Sequence, residues 1–177
     1  EWDSETNLEV MQFLPSQAVE IRRRFQALME YLQSLPRDRE SYGLVHQDAH
    51  AENFFVDEAG NITLFDFDDC VYGHYIYDIA MVIFYAVMSD FEQRTPEFCI
   101  PFFRGYHREN HFDPAWLAEV PHFLKLREID MVALIHRSFD VDHLDDPWVA
   151  RFMDGRMERI ARGEPYNPVD FRQFAGE

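Results

Sequence analysis

One turn-rich island interrupts an otherwise helical pattern, and it limits what this chain can fold into. Asp57-Glu58-Ala59-Gly60-Asn61 sits between two short apolar runs, Asn53 to Val56 and Ile62 to Phe65. Asp, Gly and Asn supply the backbone conformations that reverse a chain, and the aromatic and β-branched residues beside them favour strands. The spacing predicts a small hairpin, with the polar stretch His46 to Glu52 as the loop leading into it and Gly43-Leu44-Val45 as a further short apolar run. Before the island, Ile21, Phe25, Leu28, Leu32 and Leu35 recur at three- and four-residue intervals. They predict an amphipathic helix from Ser16 to about Leu35, stopped by Pro36 and the charged run Arg37 to Glu40. After Gly73 the pattern is helical almost to the end, and Ile76 to Met88 is apolar nearly all round. Thr95-Pro96, Asp113-Pro114 and Asp146-Pro147 each read as a capping residue followed by a proline that opens a helix. A further helix is expected over Pro121 to Ser138. The fold class is therefore α+β, mostly α, with one small β-element in its first third.

Composition narrows the function. The 177 residues include 33 acidic and 16 basic side chains, a formal net charge of -17, and a single lysine, Lys125. Nucleic acids and anionic membranes are bound by clustered Lys and Arg, so neither is an expected partner. With 47% apolar and 16% aromatic residues the chain has the material for a packed core and is no disordered acidic tail. Cys70 and Cys99 form no disulfide framework or zinc ligand set, so a cytoplasmic setting is expected.

Chemistry concentrates in two places. One is the loop His46-Gln47-Asp48-Ala49-His50-Ala51-Glu52-Asn53; the other is Phe65-Asp66-Phe67-Asp68-Asp69, where an apolar strand ends in three carboxylates. Clustered carboxylates repel unless a cation or proton intervenes, and oxygen ligands suit magnesium. The hairpin would hold Asn53 and Asp66 near each other at its outer ends, with Asp48 just before it. Three readings fit. H-x-D-x-x-x-x-N followed by an Asp in a D-F context matches phosphoryl transfer. LFDFDD at a strand end resembles the D-x-D start of haloacid-dehalogenase-like phosphatases, with Asp66 as nucleophile, a reading that needs a parallel sheet. Finally, His46, Asp48 and His50 alternate and would ligate a transition metal if the loop were extended.

The stretch from Gly43 to Ala86, with loop, hairpin, D-F-D and Tyr77-Asp78-Ile79-Ala80 in order, resembles the aminoglycoside phosphotransferase and choline kinase-like family, small-molecule kinases related to protein kinases. The resemblance implies the helical C-terminal lobe of a kinase-like fold, spanning 16–177, with the catalytic loop at 46–53 and the metal-binding segment at 65–69. By it, Asp48 would be the catalytic base, and Asn53 and Asp66 the magnesium ligands for ATP. His46 would brace the loop, and Asp78 would hold it through hydrogen bonds; Asp68 and Asp69 would help place metal or substrate. Gln47 departs from the glycine usual there, so the loop is open to a different course. No strand series, glycine-rich loop or lysine for the nucleotide phosphates precedes the motif. The chain is thus expected to be one lobe of a longer kinase, residues 1–15 being a hinge remnant from a missing N-terminal lobe. The acceptor would be a small-molecule hydroxyl, with a cationic amine or amino alcohol favoured by carboxylates and aromatic faces, against Tyr106, Trp116, Arg127, Glu128 and Asp130. The competing reading is a non-catalytic interaction module that has lost nucleotide binding.

Overall fold

The computed structural model describes the backbone of residues 1–177 and every side chain outside positions 4–9. It is mostly helical, with two small antiparallel sheets, and it divides into two units. The first comprises Glu1–Leu35 and Lys125–Tyr166; the second comprises Pro36–Leu124 and Asn167–Glu177. Among the described residues no helix is long and apolar enough to cross a membrane.

The first unit contains α1 (Trp2–Phe13), α2 (Val19–Gln33), most of α5 (Val120–Ser138), α6 (Pro147–Met153) and α7 (Arg156–Arg162). The stretch expected as a hinge remnant is thus helical over most of its length, and its side chains at 4–9 lie outside those described. Helix α2 buries Ile21, Phe25, Met29 and Leu32. It begins three residues later than the stripe suggests, because Ala18 closes a turn onto Pro15 O at 3.0 Å. Met29 takes the buried place that the sequence pattern gave to Leu28, which is only half-buried. Asp146 caps α6 through the amides of Trp148 and Val149, with Pro147 in the first turn.

An ion cluster sits inside this unit. Glu128, 1% exposed, accepts from Arg156 Nη1 at 2.8 Å and from Lys125 Nζ. Lys125 also donates to the Glu164 carbonyl, and the Arg156 guanidinium lies 4.2 Å from the centroid of the Phe152 ring. Burial lowers the Lys125 pKa, and the Glu128 carboxylate opposes that shift. Glu128 was a candidate for lining a substrate site; it is instead committed to two internal cations, and Arg127 is likewise paired with Asp130 at 2.7 Å.

The second unit holds β1 (Tyr42–Val45), β2 (Phe54–Val56), β3 (Ile62–Leu64), β4 (Val71–His74), α3 (Tyr75–Ala86) and α4 (Phe91–Glu109). Strands β2 and β3 form the predicted hairpin, Phe54 opposite Leu64 and Val56 opposite Ile62. Its turn is held by Asp57, which accepts from the amides of Ala59 and Asn61 and from Asn61 Nδ2, while Gly60 takes φ +84°. Strands β1 and β4 form a second ladder, Tyr42 opposite His74 and Val45 opposite Val71. Strand β4 is not legible in the sequence: four residues with a glycine inside carry almost no period. The ladder pairs Gly43 with Gly73, and a Cβ on Gly43 would overlap the Tyr75 ring. The parallel sheet required by the phosphatase reading is absent among the described residues.

Helix α3 leaves β4 directly and buries Ile76, Tyr77, Ile79, Ala80, Met81, Ile83 and Phe84. Thr95-Pro96 does not open a helix. Helix α4 begins at Phe91 and carries Pro96 and Pro101 inside it. Thr95 turns inward instead, fully buried, and accepts from Asn167 Nδ2 at 2.9 Å. Asp113-Pro114 starts a 3-10 turn (Pro114–Ala118), the Asp113 carboxylate taking the Ala115 amide at 2.9 Å.

Replacing the buried Glu128 by leucine leaves two half-buried cations without their shared carboxylate, and breaking an ion cluster of this kind costs about 3–5 kcal/mol. Glu128→Leu is therefore expected to lower the unfolding free energy by that amount in urea titration, whereas Glu20→Leu, at an exposed ion-pair partner of Arg23, is expected to leave the urea midpoint almost unchanged.

Candidate active site

Helix α3 builds the site by supplying one half-buried acid to the loop after β1. Asp78, in its first turn, accepts the His46 amide on Oδ2 at 2.9 Å and the Gln47 amide on Oδ1 at 2.8 Å. These two adjacent amides lie beyond the β1 ladder, and one half-buried carboxylate satisfies both at once. Burial raises the Asp78 pKa above the usual carboxylate value, while the two amide donors hold it down.

Gln47 takes φ +67°, the left-handed conformation that glycine adopts freely and that costs other residues about 1–2 kcal/mol. The loop therefore keeps a glycine-like course without the glycine. Its side-chain Oε1 is buried and has no hydrogen-bond partner. His46 is buried as well; its Nε2 lies 3.0 Å from the Phe65 carbonyl, and its ring packs on Phe67 with centroids 4.8 Å apart. The histidine thus ties the loop to the end of β3.

That strand end lies beside Asn53. The Phe65 amide donates to the Asn53 carbonyl at 3.0 Å, extending the hairpin ladder by one rung, and Asp66 follows at φ +61°. Asn53, 6% exposed, donates through Nδ2 to the Asp48 carbonyl at 2.8 Å and to Asp48 Oδ2 at 3.1 Å. Both partners are acceptors, which fixes the amide orientation and leaves Oδ1 as the atom Asn53 can offer a cation. Asp48, Asn53 and the Phe65-Asp66 strand end are therefore joined by one set of short hydrogen bonds. Asp68 and Asp69 follow on the same exposed segment.

A transition-metal set of His46, Asp48 and His50 does not form. The loop is curled, His46 Nε2 is engaged by a backbone carbonyl, and among the described residues no three His, Cys, Asp or Glu side chains converge as metal ligands. An amide oxygen and a carboxylate suit a hard divalent cation that completes its shell with waters and phosphate oxygens, so the donor chemistry fits magnesium. Two residues escaped the sequence reading in part. Gln47 was noted only as a departure, although a polar residue before the loop acid is also where a positive φ falls. His50 was weighed only as a metal ligand, yet it lies 3.2 Å from Asp48 Oδ2.

Residues 1–120 match the phosphotransferase enzyme family. The amicoumacin kinase of Bacillus subtilis (strain 168) is 36% identical over 177 residues, covering 97% of this chain and 52% of that protein. Among solved structures, an amicoumacin kinase in complex with AMP-PNP, Ca2+ and Ami superposes with a TM-score of 0.87 at 36% identity, over 98% of this chain and 53% of the other. The microcompartment-associated aminopropanol kinase gives a TM-score of 0.60 over 85% of this chain and 46% of its own, and at 24% identity the likeness is one of fold. The chain spans about half the length of the relatives it matches.

Two substitutions in the loop have opposite expected signs. Gln47→Gly relieves the left-handed strain and removes a buried unpartnered oxygen, and is expected to raise the unfolding free energy by about 1 kcal/mol net of glycine's extra chain entropy. Asp78→Ala leaves two sheltered amides without an acceptor and is expected to lower it by about 3 kcal/mol. Chemical denaturation followed by circular dichroism measures both.

Proposed function

The chain belongs to the phosphotransferase enzyme family, and from that membership we propose that it is the catalytic lobe of an ATP- and magnesium-dependent kinase of small molecules. The observation that carries the reading is the coupling of Asp48 to Asn53 beside the strand end that bears Asp66. This is the order of groups that phosphoryl transfer to a hydroxyl needs: an acid to orient the nucleophile, then an amide and a second acid for the cation.

In this reading Asp48 accepts and orients the proton of the acceptor hydroxyl. Asn53 Oδ1 and Asp66 hold the metal side of the nucleotide. Magnesium, when bound, screens the phosphate charge and polarises the transferring group. His46 and Asp78 react with nothing; they fix where Asp48 stands. Asp68 and Asp69 help place metal or substrate from the exposed side of the segment. A lobe that works only with a partner lobe also accounts for the hairpin. All six residues of β2 and β3 are exposed, Phe55 at 57% and Ile62 at 70%, in a chain half as long as its relatives. Apolar surface of that kind is normally covered, and an N-terminal lobe joined through α1 would cover it. Cys70 and Cys99 are both free, which suits a reducing, cytoplasmic setting.

For the acceptor, the proposal is a hydroxyl on an amine-bearing small molecule, and amicoumacin is the first compound to try. The full-length protein is to be assayed for ATP consumption against amicoumacin, aminoglycosides, choline-like amines and homoserine. One acceptor is expected to give turnover that EDTA abolishes and added magnesium restores. With it, Asp48→Ala is expected to lower kcat by about 10²–10⁴-fold while the protein still folds. Retained turnover would remove Asp48 from this role. Failure of the wild-type protein to bind Mg-ATP would favour the non-catalytic module.

A further inference from the structure

Two nitrogen donors converge on one oxygen of Asp48. His50 Nε2 lies 3.2 Å from Asp48 Oδ2, and Asn53 Nδ2 lies 3.1 Å from the same atom. The His50 ring is gripped on its other edge, where the Glu52 amide donates to Nδ1 at 3.2 Å. A ring nitrogen that accepts a hydrogen bond carries no proton, so the neutral imidazole keeps its proton on Nε2 and directs it at the carboxylate. The ring also packs against Tyr85, with centroids 4.6 Å apart and planes at 52°. Turning the imidazole would break both of its hydrogen bonds and this contact.

The neighbouring histidine cannot do the same work. His46 spends Nε2 on the Phe65 carbonyl. Nor is His50 a metal ligand in this arrangement, since Nδ1 is occupied by an amide and Nε2 by a carboxylate. The His50 and Asp48 side chains are 17% and 22% exposed, sheltered enough for a hydrogen bond between them to hold orientation and open enough for a substrate to reach.

We propose that His50 is a positioning residue for phosphoryl transfer: its Nε2–H, shared with the Asn53 amide on Asp48 Oδ2, sets the rotation of the Asp48 carboxylate toward the acceptor hydroxyl. This rests on Asp48 being the base. A fixed carboxylate matters because a misplacement of about 1 Å can cost on the order of 100-fold in rate. Asn53 alone does not fix the plane, since it also serves the cation through its other atom. Histidine suits the place because one rigid ring spans from a backbone amide to the carboxylate.

The test uses the full-length protein with ATP, magnesium and amicoumacin as the acceptor probe. His50→Leu removes the donor; His50→Gln returns an amide N–H of similar reach. His50→Leu is expected to lower kcat by about 10- to 100-fold with KM for ATP within about twofold, and His50→Gln to recover most of that loss. Equal losses in the two variants, or a wild-type kcat in His50→Leu, would overturn the proposal. Asp48→Asn separates the two readings. Turnover that survives Asp48→Asn takes down the base assignment and this proposal with it. Turnover lost in Asp48→Asn but kept in His50→Leu takes down this proposal alone. A third measurement needs neither acceptor nor a folded His50→Leu variant: long-range ¹H–¹⁵N correlation of the histidine rings in the wild-type protein, with His50 assigned by its loss in His50→Gln. The Nε2–H tautomer is expected, and the Nδ1–H tautomer would overturn the proposal.

Discussion

Everything at the site hangs from the Asp78 carboxylate. It takes the amides of two consecutive residues, His46 and Gln47, and the second of these sits in a left-handed conformation. Without a strong acceptor at that point, a glutamine would have no reason to stay there. With it, the loop turns sharply after β1, delivers Asp48, and meets the hairpin again at Asn53. The acid is itself set by helix α3, which is buried on most sides and so cannot shift to accommodate a different loop. The chain thus converts packing free energy from an apolar helix into a fixed position for a polar group. Helix packing is a common means of holding a reactive constellation rigid.

The electrostatics follow from the same economy of cations. Lys125, the only lysine, is half-buried against Glu128, and the described arginines near it serve internal acids and carbonyls. Asp48, Asp66, Asp68 and Asp69 add four carboxylates within the loop and the segment after β3. A divalent metal is what allows acids and phosphates to share one place.

How much of this was legible beforehand differs by element, for physical reasons. The hairpin was plain because its turn chemistry and strand propensities agree, α3 because its stretch is apolar nearly all round, and α5 because its apolar residues extend over a long run. Strand β4 was not, since its partner β1 lies nearly thirty residues away and four residues hold no usable pattern. The start of α4 was misplaced because Thr95 and Pro96 read locally as a cap, while tertiary packing draws the threonine hydroxyl to Asn167. At the site, the order of His46, Asp48, Asn53 and Asp66 was visible as a motif. What the motif did not contain was direction: which nitrogen of His50 faces Asp48, and which way the Asn53 amide is turned. Those follow only from the backbone donors and acceptors around them.

The exposed hairpin has a further consequence for how copies of this chain behave together. Both strands of the β2–β3 ribbon have an open edge, and Phe54, Phe55, Val56, Ile62 and Leu64 give it apolar side chains on either face. Open apolar edges recruit like edges, and such ribbons are where unintended sheet growth starts. Asp57 and Glu58 at the turn and Asp66, Asp68 and Asp69 beyond the second strand flank it with negative charge. A second ribbon brought alongside would set these acids against their own kind. These carboxylates therefore act as gatekeepers against stacking, and the net charge of -17 spreads that repulsion over the molecule. Conditions that neutralise them, whether acid or a high concentration of divalent salt, are the ones under which this surface turns adhesive.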